Sequence, residues 1–152
     1  MTEKPNPLAS SHLMNIRSFD FSNDYEAVIH LWETAGPGIH VGRSDSPQEI
    51  AKKLERDPDL FLVAEINQEI VGTVLGGFDG RRGIMYHLAV KTDHRNQGIG
   101  EALMSELEDR LRAKGCIRYY LLVTVDNQKA LDFYEKRGWN RLNLFAYGKD
   151  LV

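Results

Sequence analysis

Between a buried-strand pattern at residues 84–90 and an amphipathic-helix pattern at residues 98–114 stands the hexapeptide Arg95-Asn96-Gln97-Gly98-Ile99-Gly100. In that helix Ile99, Ala102, Leu103, Leu107 and Leu111 share one face, and Glu101, Glu106, Asp109 and Arg112 lie outside it. This is the spacing of a helix packed on one side only. Gly115 follows where a helix C-cap would be. Residues 118–125, rich in aromatic and β-branched side chains, read as the next strand. Strand, helix and strand in succession point to a mixed α/β layer domain.

The flanking segments extend the pattern. Residues 14–19 open the first apolar stretch. From Asp24 to Ala35 the residues Val28, Leu31, Trp32 and Ala35 recur at helical spacing, and Gly36-Pro37-Gly38 ends the run. Ser46-Pro47-Gln48-Glu49 has a cap residue, proline at the first helical position and glutamate at the third, so a second helix starts there and stops by Asp57-Pro58. Residues 60–66 and 70–78, joined by Asn67-Gln68-Glu69, read as an antiparallel hairpin. Residues 127–137 read as a helix closed by Gly138, and residues 141–148 as the last strand. The expected order is β-α-α-β-β-β-α-β-α-β.

Composition excludes several classes. At 152 residues one domain is expected, and folding can bury roughly 68–70% of the unfolded surface. Nineteen Lys and Arg against twenty-two Asp and Glu give a net charge of −3. A general nucleic-acid binder would carry a basic excess, so no nucleic-acid partner is expected. A single cysteine, Cys116, excludes an intramolecular disulfide framework and fits a reducing compartment. His12, His30, His40, His87 and His94 show no metal-ligand spacing, so no metal is implied. No apolar run reaches the ~18 residues of a membrane span, and residues 1–13 lack the apolar core of a signal peptide. The expectation is a cytoplasmic protein with no membrane partner.

The hexapeptide carries the chemistry. Its glycines let the backbone approach a ligand, and the helix start offers unpaired N–H groups with a partial positive charge, which suits phosphate or pyrophosphate. Leu103 stands where a Rossmann fingerprint would have its third glycine, and no Gly-Lys-Ser or Gly-Lys-Thr follows as in a P-loop. A tight strand-to-helix turn that simply needs small residues explains the hexapeptide equally well.

In combination, Leu88-Ala89-Val90, the Arg-x-x-Gly-x-Gly turn, Asn127 and Phe133-Tyr134-Glu135-Lys136-Arg137-Gly138-Trp139 resemble the GCN5-related N-acetyltransferase (GNAT) superfamily over residues 14–148. The resemblance implies a central, splayed, mixed sheet of about six or seven strands flanked by about four helices. Residues 1–13, with two prolines and no periodicity, read as a flexible leader, and the resemblance implies one N-acetyltransferase domain over residues 14–152. It implies acetyl-CoA as co-substrate, with pantetheine along Leu88, Ala89 and Val90. The pyrophosphate would lie on Arg95, Asn96, Gln97, Gly98, Ile99 and Gly100, with Asn127 meeting the pantetheine arm. Tyr134 would sit near the thioester sulfur as general acid.

The acceptor implied is a primary amine on a small molecule or peptide. Relatives that acetylate protein N-termini carry a glutamate where this chain has Leu122, and the strand Ile84, Met85, Tyr86, His87 has no carboxylate. Candidate bases are His87, whose unperturbed pKa suits proton transfer, Glu33 and Tyr86, and a water relay without a dedicated base stands as an equal alternative. Trp32, His40 and Asp45 fall in the segment that forms the acceptor wall in relatives. Cys116 reads as a small core residue and Arg81 and Arg82 as a solvated loop. Rival readings are a non-catalytic acyl-CoA-binding module and a protein N-terminal acetyltransferase. Homodimers are common among relatives, and the sequence does not decide that point.

Overall fold

A computed structural model describes residues 14–152; the expected leader at residues 1–13 lies outside the described residues. Two compact units result, one ending at Leu122 and one spanning Val123–Val152.

The first unit holds a five-stranded sheet in sequence order: β1 (Met14–Ser18), β2 (Phe61–Ile66), β3 (Glu69–Phe78), β4 (Gly83–Val90) and β5 (Tyr119–Leu121). The first four strands pair antiparallel, and β5 joins β4 in parallel, so the sheet is mixed. Its helices are α1 (Phe21–Thr34), α2 (Pro47–Arg56) and α3 (Ile99–Ala113). Asp20 caps α1 through the Ser22 amide, and Ser46 caps α2 through the Glu49 amide. The Glu49 carboxylate itself pairs with Lys52. At Asn67 and Gln68 both φ angles are positive, 50° and 66°, as a two-residue turn between right-twisted strands requires.

Strand alternation splits the core into two layers. Phe61 and Val63 of β2, Leu75 of β3 and Ala89 of β4 pack with Phe19, Val28, Leu31, Trp32 and Ile50, which come from α1, α2 and the link between β1 and α1. On the opposite face α3 lies close against β3. A Cβ placed on Gly76 would stand 2.4 Å from Leu107 Cδ1 and 3.2 Å from the Leu60 carbonyl oxygen, so that strand position needs a residue without one. None of the described helices is long and apolar enough to cross a membrane.

The second unit contains α4 (Gln128–Glu135). Two expectations need correction. The strand expected over residues 118–125 shortens to Tyr119–Leu121, and residues 141–148 form no strand, so the described sheet has five strands rather than six or seven. Backbone pairing makes a strand, and side-chain propensity alone does not. The 141–148 segment meets no ladder among the described residues, and Leu144, Phe145 and Tyr147 are almost fully exposed.

Candidate active site

Pairing between β4 and β5 covers Gly83, Ile84 and Met85 against Tyr119, Tyr120 and Leu121, and ends there. From Tyr86 onward β4 keeps β3 on one side and has no strand on the other among the described residues. Lys91 N–H donates to the Val71 carbonyl at 2.8 Å, and Gly72 faces Val90 as Thr73 faces Ala89. Alternation along the ladder therefore turns the backbone groups of Val90, and of Leu88 two residues before it, toward the open side. Ala89 is buried in the core.

The open edge begins at a bulge. Between the pairs Leu75–Tyr86 and Thr73–Ala89, β4 spends one residue more than β3, and His87 adopts φ +48°. Histidine is among the few side chains that tolerate the left-handed region. Three contacts hold it there. Buried Thr73 donates from Oγ1 to the His87 carbonyl at 3.1 Å and accepts from Trp32 Nε1 at 2.8 Å. The His87 ring lies 4.4 Å from the Trp32 ring, centroid to centroid. His87 Nε2 meets Asp45 Oδ1 at 3.0 Å. Asp45 is 6% exposed, its Oδ2 accepts the Gly42 amide at 3.0 Å, and its carbonyl accepts from Tyr25 Oη at 2.8 Å. Burial first, and the Asp45 charge second, push the Tyr25 phenol above its ordinary range.

Beyond β4 the chain makes a 3₁₀ turn at Thr92–His94 and enters α3 through Arg95–Gly98. Asn96 and Gly98 both have positive φ, 60° and 78°, and Gly98 is the N-cap of α3. A Cβ at Gly98 would meet nothing within 4 Å. Lacking a side chain, this cap leaves the first-turn amides of Ile99 and Gly100 uncapped by it, with the positive end of the helix dipole behind them. Ile99 itself is buried, whereas Asn96, Gln97 and Gly98 are exposed. Arg95, expected to add charge at the pyrophosphate turn, is bonded to two backbone carbonyls. Its Nε donates to the Val90 carbonyl at 3.2 Å, and a terminal nitrogen donates to the Ala35 carbonyl. The residue thus ties the glycine turn to β4 and to the end of α1.

In the C-terminal unit, Asn127 caps α4, its side-chain oxygen accepting the Ala130 amide at 3.2 Å. Tyr134 is half-buried and packs edge-on against Phe133 and Trp139, with centroids 5.2 and 5.8 Å away. Burial pushes its phenol up to about 12, so it stays protonated at any physiological pH.

Other candidates find ordinary places. Cys116 is buried and its thiol donates to the Arg118 carbonyl at 3.3 Å. Glu33 and His40 are exposed. Arg81 and Arg82 sit in an exposed loop whose amides Asp79 caps. Trp32 is fully buried, so of the three wall residues singled out it belongs to the core. The Asp45–His87 pair spans 42 positions, and the Thr73 relay spans 41 on one side and 14 on the other. Contacts at such separations leave no local spacing in the sequence.

The sequence model of the Acetyltransferase (GNAT) family matches residues 24–139. The chain belongs to the GNAT family of acetyltransferases. An acetyltransferase of Pectobacterium atrosepticum is 45% identical over 139 residues, covering 91% of this chain and 96% of that one. Among solved structures, Ard1 from Thermoplasma volcanium is similar with a TM-score of 0.72 at 25% identity, covering 83% of this chain and 82% of that one. The PaiA N-acetyltransferase from Thermoplasma acidophilum, solved with coenzyme A, shares the fold with a TM-score of 0.71 at 21% identity, covering 87% and 92%. This GNAT chain is accordingly an acyltransferase with the family's mixed, strand-splayed α/β architecture.

Proposed function

We propose that this GNAT chain moves the acetyl group of acetyl-CoA to a primary amine, on a small molecule or a peptide, by direct attack in a ternary complex. One observation carries the reading: β4 loses its β5 partner at Met85, which leaves the Leu88 and Val90 backbone groups turned to an open side directly before a glycine-capped helix start. A linear amide-bearing arm ending in a pyrophosphate matches that sequence of features. Backbone groups along Leu88–Val90 would bind the arm, and the amides from Gly98 to Gly100 would take the pyrophosphate. Arg95 would hold the turn to β4. Asn127 would meet the pantetheine arm from its cap position. The co-substrate supplies an acetyl group activated as a thioester.

The remaining chemistry falls to the chain. An ammonium must lose a proton before its nitrogen can attack. A backbone N–H at Leu88 or Val90 donates to the oxyanion as it develops, the contribution of a preorganised dipole. Tyr134 protonates the departing thiolate as general acid.

The test is acetyl-CoA-dependent thiol release across amine and peptide collections, with the acetylated product identified by mass spectrometry. Tyr134→Phe should lower kcat by about 10²–10⁴-fold, the range for a positioned proton donor, with the affinity for coenzyme A little changed. Tight coenzyme A binding with no transfer to any amine would leave a non-catalytic acyl-CoA-binding module instead.

A further inference from the structure

Resting on the amine-acetylation reading, we infer that Asp45 and His87 form a dyad in which Asp45 fixes the tautomer of His87, so that Nδ1 takes the proton from the acceptor ammonium. The two residues come from different layers of the fold. His87 stands on the bulge of β4, one residue before Leu88, at φ +48°. Asp45 ends the 3₁₀ turn Arg43–Asp45 that leads into α2.

As a carboxylate Asp45 can only accept, and both its oxygens do so, Oδ2 from Gly42 N–H and Oδ1 from the imidazole. The hydrogen of neutral His87 therefore lies on Nε2, and the lone pair lies on Nδ1. Ring orientation is fixed twice over, by Trp32 on one side and by the Asp45 bond at 3.0 Å. The groups packed against the ring are Asp45 from the turn, Trp32 from α1 and, through the His87 carbonyl, Thr73 from β3. Tyr25 stands one hydrogen bond further out on the Asp45 carbonyl, and Tyr86 is next in the strand. Asp45 is the charged member of this set, and it stabilises the imidazolium that proton uptake creates.

The proton balance closes without another reactant. The ammonium gives one proton to His87 Nδ1, and the freed nitrogen pair forms the C–N bond. The C–S bond breaks as the oxyanion collapses, and the second N–H proton balances the departing thiolate. The imidazolium then returns its proton to solvent. Asp45 touches no reacting atom and is a positioning residue.

The experiment compares the full chain with His87→Gln, His87→Gly and Asp45→Asn variants in pH profiles of kcat and kcat/KM. Gln keeps a donor for Asp45 but cannot take up a proton, and glycine suits the left-handed φ while opening space beside Trp32. His87→Gln should lose about 10²–10⁴-fold in kcat, with KM for acetyl-CoA unchanged and the acid limb of the profile abolished. An asparagine at 45 can donate to Nε2 and so favours the wrong tautomer. Asp45→Asn should lower kcat and displace the acid limb, again at constant KM for acetyl-CoA. Added imidazole should restore His87→Gly, more strongly with more basic imidazoles. A folded His87→Gln variant with wild-type kcat and an unmoved acid limb overturns the dyad while leaving acetyl transfer intact. So does His87→Gly that imidazole does not restore. If the unaltered chain acetylates no amine, the amine-acetylation reading fails and the dyad fails with it.

Discussion

Replacing Thr73 with valine tests how the bulge on β4 is held. The two side chains are nearly the same shape, so the change removes a hydroxyl and adds no strain. That hydroxyl is fully buried, accepts the Trp32 indole N–H at 2.8 Å and donates to the His87 carbonyl at 3.1 Å. Trp32 is itself fully buried, so its N–H would have no other partner, a penalty of about 1–3 kcal/mol. The half-buried His87 carbonyl adds a smaller loss. The sum is about 2–4 kcal/mol, which for a chain of this size lowers Tm by roughly 5–15 °C. Thermal unfolding followed by circular dichroism reads this directly. Thr73→Ser keeps the hydroxyl, loses only a methyl group and should cost about half as much. A Tm for Thr73→Val within about 2 °C of the unaltered protein would refute the relay.

Two further outcomes follow from packing and charge. Gly76→Ala places a methyl 2.4 Å from Leu107 Cδ1 in a fully buried contact and should destabilise by about 1–3 kcal/mol in urea unfolding; a neutral result would show that α3 shifts freely on β3. Burial raises the Asp24 carboxyl, but the bonds from Arg17 and the Asp20 amide, with the Arg17 charge, outweigh it and hold the group below its ordinary 3.8. Its stabilisation is thus complete above about pH 4 and lost as the pH falls further. Arg17→Met should cost about 2–3 kcal/mol, less than a fully buried pair because Arg17 is 31% exposed. With Arg17 gone, burial dominates and acid unfolding moves to higher pH; an unchanged acid midpoint would contradict the assignment.

Local signals in the sequence specify the structure where one element decides them. Ser46-Pro47 starts α2, the apolar face of Ile99, Leu103, Leu107 and Leu111 defines α3, and the hairpin at Asn67-Gln68 needs only its own residues. The strand expected over residues 141–148 is absent because side-chain propensity for pairing says nothing of a partner. Site chemistry divides along the same line. The glycine turn is contiguous and legible. The bulge at His87, the buried Asp45 and the Thr73 relay arise from contacts between α1, the turn before α2, β3 and β4, and no short spacing encodes them. Arg95 was legible as a cation at the turn, but its two carbonyl partners, five and sixty positions away, were not.

Calorimetric titration of the full chain with acetyl-CoA and, separately, with coenzyme A tests the central claim most directly. The open edge of β4 and the glycine-capped start of α3 predict saturable one-to-one binding of both ligands, weakened by Arg95→Ala because the turn loses its ties to Val90 and Ala35. A folded, monodisperse sample that binds neither ligand would contradict the account at its foundation.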